Sequence, residues 1–134
     1  MPYVDCYLIP VPEPKLEAYR RFSTEMAAVY REYGAGRIVD CLLDAGTADG
    51  AAFHADGAQA DLAGTPLRDF RAAAAARTGE VVVVSWTEWP SKAVRDDALP
   101  RILADARVQP KDGEEAIFEG RRLVAGGFHM LIDQ

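Results

Sequence analysis

One stretch limits the folds open to this chain more than any other: Glu80-Val-Val-Val-Val-Ser-Trp-Thr-Glu-Trp-Pro-Ser-Lys-Ala-Val-Arg-Asp96. Four successive β-branched residues lose rotamer freedom in a helix and suit a pleated strand. Side chains alternate along a strand, so Val81 and Val83 point to one face and Val82 and Val84 to the other. A strand apolar on both faces needs cover on both, which predicts a central strand. Pro90 stops the ladder, and Ser91 is placed to accept an amide hydrogen bond as the N-cap of a following helix.

The 134 residues suffice for one domain, because a chain of this length buries about two-thirds of its extended surface. Lys and Arg number 15 against 21 Asp and Glu, a net charge of −6. Such a chain repels phosphate backbones, and the pairs Arg20-Arg21 and Arg121-Arg122 make no basic stripe, so no nucleic-acid partner is expected. Apolar runs fall short of the roughly 20 residues a membrane span needs, so no membrane partner is expected either. The N-terminus lacks the basic region and apolar core of a signal peptide, which places the expected compartment in the cytoplasm. Cys6 and Cys41 both fall in strand-like runs and are read as reduced core residues rather than a disulfide. With no Cys-x-x-Cys and no clustered His, neither a metal nor another cofactor is expected.

Read in order, Tyr3 to Ile9 alternates, with Val4, Cys6 and Leu8 on one face and Tyr3, Asp5, Tyr7 and Ile9 on the other. This predicts a strand ended by Pro10 and Pro12. Asp5 either meets solvent or a neighbouring strand, or lines a pocket between two tyrosines. Glu13 to Tyr33 is a helix, with Pro14 at its start, Gly34 at its end and an apolar stripe of Leu16, Tyr19, Phe22, Met26, Val29, Tyr30 and Tyr33 facing the core. Arg37 to Asp44 is a second strand. Residues 46–64 read as a mobile acidic loop with Asp49, Asp56 and Asp61 and a solvated His54, lacking the spacing of a calcium loop. Thr65-Pro66 can cap a helix over Leu67 to Arg77 that Gly79 stops. The helix after Ser91 turns Val94, Ala98, Ile102 and Leu103 to one side, and Pro100 predicts a kink or break near Leu99. Leu123 to Asp133 is the last strand, where Gly126-Gly127 signals a bulge or a close backbone approach.

Strand, helix, strand, strand, helix, strand predicts an α+β fold of the ferredoxin-like split β-α-β kind, a four-stranded antiparallel sheet with helices on one face. The valine run requires cover on the other face too. A second copy of the same sheet is the simplest cover, so a homodimer is expected.

Tyr3-Val-Asp-Cys-Tyr-Leu-Ile-Pro-Val-Pro12, Lys15-Leu-Glu-Ala-Tyr-Arg-Arg21, Val83-Val-Ser-Trp86, Pro90-Ser-Lys-Ala-Val-Arg-Asp96 and Gly126-Gly-Phe128 resemble the YbaA-like family of small bacterial proteins, a domain of unknown function. The matching stretches run from residue 3 to about residue 133. The resemblance implies the dimeric α+β barrel superfamily, which includes cofactor-free monooxygenases, lactone isomerases and haem-dependent relatives. It carries no catalytic residues over. Three departures stand out: the long stretch 45–64, Pro100 inside a helix expected to continue in relatives, and His129 where many relatives are expected to have an acidic residue.

No nucleophile elbow, phosphate loop, zinc motif or dinucleotide fingerprint is present. The polar and aromatic side chains left on strands are Asp5, Tyr7, Asp40, Trp86, Trp89 and His129. Tyr7, Asp40, Trp86 and Trp89 are the candidates to line a ligand pocket between sheet and helices, or else serve as core and interface. His129 can exchange a proton near neutral pH, and Asp5 can orient it if the first and last strands pair, or else both make only structural hydrogen bonds. Two functions remain open: binding or converting a small apolar or aromatic molecule in that cavity, or a non-catalytic dimeric interaction module acting through its surface.

Overall fold

A computed structural model of the chain describes residues 1–46, 57–62 and 67–134. Asp49, His54, Asp56 and the Thr65-Pro66 cap lie outside the described residues, so most of the acidic stretch does too. The strands are β1 (Tyr3–Pro12), β2 (Ile38–Leu42), β3 (Glu80–Trp89) and β4 (Val124–His129), and the helices α1 (Leu16–Glu32), α2 (Ala58–Asp61), α3 (Phe70–Ala73) and α4 (Lys92–Ala104). They form one antiparallel sheet in the order β2-β3-β1-β4. The valine strand is therefore central, as its two-sided apolar pattern requires. No described helix is long and apolar enough to cross a membrane.

Tyr3 pairs with both Trp89 and His129, Asp5 with Thr87 and Gly127, and Ser85 with both Tyr7 and Asp40. Directly paired residues share a face, so odd-numbered residues of β1 and β3 line one side with Ile38, Asp40, Gly127 and His129. The core lies on this side. Ile9, Val11 and Val83 pack with Tyr19 of α1, and Tyr3 and Trp89 pack with Ala98 and Ile102 of α4. On the opposite face Pro10 and Val82 are buried, Cys6 and Trp86 are half-buried, and Cys41, Val124 and Phe128 are exposed. Both cysteines are free thiols and both lie on this open face, so neither belongs to the core.

β1 continues through Pro10 and Pro12, whereas those prolines were expected to end it. The ladder explains how. Glu13 donates its N–H to Gly79, and Met130 donates to Pro2, so odd residues of β1 bond toward β3 and even ones toward β4. Pairing with β4 stops at Leu8. The missing N–H groups of Pro10 and Pro12 would thus point where no strand lies.

Three helix expectations need correction. The first helix begins with a 3-10 turn, Glu13–Lys15, before α1. The helix expected over 67–77 is a single turn, α3, capped by Asp69, which accepts from the Ala72 N–H at 2.7 Å. Ala75 then takes a positive φ of 52°. Arg122 donates to the Ala75 carbonyl at 2.6 Å, and Arg71 donates to the carbonyls of Arg77 and Glu80 at 3.1 and 2.7 Å. Guanidinium groups satisfy carbonyls that helix continuation would otherwise use. In α4, capped by Ser91 as expected, the chain runs on through Pro100 without a break. Pro100 is exposed, which leaves water free to satisfy the carbonyl that loses its partner. Ala98 and Ile102 form the buried side, while Leu103 is exposed and Val94 borders on exposed.

Candidate functional site

The apolar stripe of α1 does not close completely onto the sheet. Between them opens a crevice of about 260 Å³. Phe22, Met26, Tyr30 and Phe118 make its walls, and Tyr7, Ser85 and Thr87 lie on the sheet beneath. A second crevice, also of about 260 Å³, adjoins it and contains Asp40, Arg20 and Thr24. Tyr19 and Ser23 line both. Their four-residue spacing puts them on one side of α1, one turn apart. The Tyr19 hydroxyl donates to Oδ1 of Asp40 at 2.6 Å, and the Ser23 hydroxyl donates to Oδ2 of the same carboxylate. Asp40 is in no ion pair among the described residues, and Arg20 pairs with Glu17 at 3.5 Å.

Burial makes these phenols hard to ionise. It is the first cause of an upward shift at Tyr19, with hydrogen bonding to Asp40 next, and likewise at Tyr30, where the charge of Asp5 follows. Tyr7 is pushed up to about 12, again by burial first and Asp5 second. All three are neutral hydroxyl donors near neutral pH.

Asp5 is buried and fully engaged. Its carboxylate accepts from Trp89 Nε1 and from Nε and Nη2 of Arg95, each at 3.0 Å. The two-pronged contact ties α4 to the sheet. The Arg95 guanidinium also lies 5.8 Å from the centre of the Tyr3 ring, and His129 meets that ring edge-on at 5.1 Å. His129 is exposed. The first and last strands are neighbours and both side chains share a face, yet Asp5 turns to α4 while His129 packs on Tyr3. No hydrogen bond links them among the described residues.

Of the four expected pocket residues, Tyr7 lines the crevice between α1 and the sheet and Asp40 the adjoining one. Trp89 is packed in the core against Tyr30, with ring centres 6.3 Å apart. Trp86 projects from the open face, its indole donating to Glu88 at 3.0 Å. Neither tryptophan lines either of these two crevices.

The model of a family described as "Protein of unknown function (DUF1428)" matches residues 2–120. The chain belongs to this family. The uncharacterized protein YbaA of Escherichia coli strain K12 is 37% identical over 134 residues, covering 100% of both chains. The protein of the same name from Shigella flexneri matches to the same extent. The region shared with the family takes in β1 to β3, α1, α4 and Phe118, and so almost the whole crevice.

Sequence reasoning assigned Tyr19 and Tyr30 to the core stripe and passed over Ser23, Ser85, Thr87 and Arg95. A signal was present. On the core face of β3, Val81 and Val83 give way to Ser85 and Thr87, and Ser23 interrupts the matching stripe of α1. Small hydroxyls on both facing surfaces mark the place where the layers stop packing tightly.

Proposed function

We propose that this protein binds a small, largely apolar ring compound in the crevice between α1 and the sheet, as a homodimer of ferredoxin-like subunits. The observation that carries the reading is a cavity with aromatic walls and two hydroxyl-bearing residues, Ser85 and Thr87, buried on its floor. Binding pockets are typically apolar with a few placed polar groups. The sheet order β4-β1-β3-β2, with a long helix after β1 and another after β3, supports the ferredoxin-like arrangement. The apolar face bearing Val4, Cys6, Leu8, Val84, Trp86 and Phe128 supports the dimer, since the described residues of one chain leave it only partly covered. Asp5 and His129 have no part in this reading: Asp5 anchors α4.

The test is an NMR titration of the full chain with a library of monocyclic aromatic compounds. Shifts are expected at Tyr30, Ser85 and Thr87, and Thr87→Trp, which fills the crevice, abolishes them. A library without any binder at these residues, or binders indifferent to Thr87→Trp, refutes the reading.

A further inference from the structure

The charge of the ligand can be inferred as well, on the reading that the crevice is a ligand site. We propose that it selects a ring compound carrying a protonated amine, with Asp40 as the counter-ion and Tyr7, Tyr19 and Tyr30 as the aromatic surround. Three observations converge on this.

Among the described residues, no Lys, Arg or His lines the crevice between α1 and the sheet. A carboxylate, phosphate or sulfate would enter with no cation to replace its lost water, and isolated buried charges are strongly disfavoured. The composition of the walls therefore disfavours an anionic ligand.

The carboxylates nearby differ in what they have left to offer. Asp5 has its charge matched by Arg95 through two hydrogen bonds. Asp40 accepts only from the neutral hydroxyls of Tyr19 and Ser23, and it forms no ion pair among the described residues. A carboxylate offers about four lone-pair positions, so Asp40, which is exposed, keeps acceptor capacity and has no cation paired to it among the described residues. Arg20 shares its crevice and could have matched it, but turns to Glu17.

Finally, three tyrosine rings line the crevice between α1 and the sheet, and ring faces attract cations. Their phenols stay neutral near neutral pH, so they add no competing charge. The size also fits: about 260 Å³ lies just below the range for drug-sized ligands, which begins at about 300 Å³. One ring with a short amine-bearing arm is of the right order.

The experiment uses three probes of one shape and different charge: 2-phenylethylamine, 2-phenylethanol and phenylacetate, each titrated into the full chain and followed at Tyr30, Ser85 and Thr87. The amine is expected to bind roughly tenfold more tightly than the alcohol, the size of a charge-assisted hydrogen bond, and phenylacetate not at all. In Asp40→Asn the amine should fall to the level of the alcohol, while the alcohol is unchanged. If the alcohol or the acid binds as well as the amine, the charge selection is wrong and the crevice reading stands. An amine preference that survives Asp40→Asn overturns the role of Asp40. If none of the three, nor any library compound, shifts these residues, the crevice reading itself fails. The comparison on the unaltered protein decides the charge question even if Asp40→Asn does not fold.

Discussion

A Cβ at Gly127 would lie 1.8 Å from the hydroxyl oxygen of Tyr3, a separation no pair of atoms can hold. The Tyr3 ring crosses the strand at this glycine on its way to meet His129 and Arg95. Gly127→Ala would expel the ring from the core, so it should destabilise the protein by about 2–4 kcal/mol, comparable to a severe overpacking or a lost core aromatic. Thermal unfolding measures this. Removing the obstacle in the Tyr3→Ala background should leave the added methyl nearly neutral, and equal losses in both backgrounds would show that the contact is not the cause. The glycine pair announced either a bulge or a close approach in the sequence. The ladder through Gly126 and Gly127 is regular, and the close approach is the one realised. That choice was illegible locally because the ring responsible comes from the other end of the chain.

Between elements, the pair Glu80–Arg122 fastens the entry to β4 and the turn after α3 onto β3. Both side chains are 11% exposed, and two nitrogens of Arg122 reach the Glu80 carboxylate at 2.7 Å. Arg122 holds the Glu80 carboxyl down to about 2, against about 4.3 for a free glutamate. A lowered folded-state pKa contributes stability that is complete above the unfolded value and disappears as pH falls toward the folded one. Arg122→Met should therefore lower stability at about pH 7, because it leaves the Glu80 carboxylate without its partner. Its deficit should shrink as pH falls through about 4 toward 2 and be smallest below about 2, where Glu80 is protonated in both proteins. Urea unfolding at several pH values checks the trend, and a deficit independent of pH would assign the loss to packing alone. At this scale the sequence was most legible where the pattern is local: β3 and the Ser91 cap stand as read. The short α3 was not, because the alanine run favours a longer helix and only the distant Arg122 and the positive φ at Ala75 end it.

At the scale of the whole molecule, the open face of the sheet is the interface of the proposed dimer. Placing a charge there, as in Trp86→Asp, should convert the expected dimer to a monomer or to aggregates, with light scattering as the measurement. A soluble dimer of unaltered mass would move the interface elsewhere. The two-sided valine pattern made this face legible before any coordinates. What no pattern conveyed was which aromatic residues went to which side, since the alternation of Trp86 and Trp89 gives them opposite faces without saying which face the helices cover.

The prolines of β1 give this architecture a further property. Where β4 ends, the remaining backbone edge of β1 carries Pro10 and Pro12 at the positions whose N–H groups would face outward. Pro10 is itself buried and neither proline has an amide to donate, so a strand from another molecule would find little to bond with at that corner. The same two residues that were expected to end the strand thus disfavour its extension by a neighbouring chain, a safeguard against edge-to-edge aggregation.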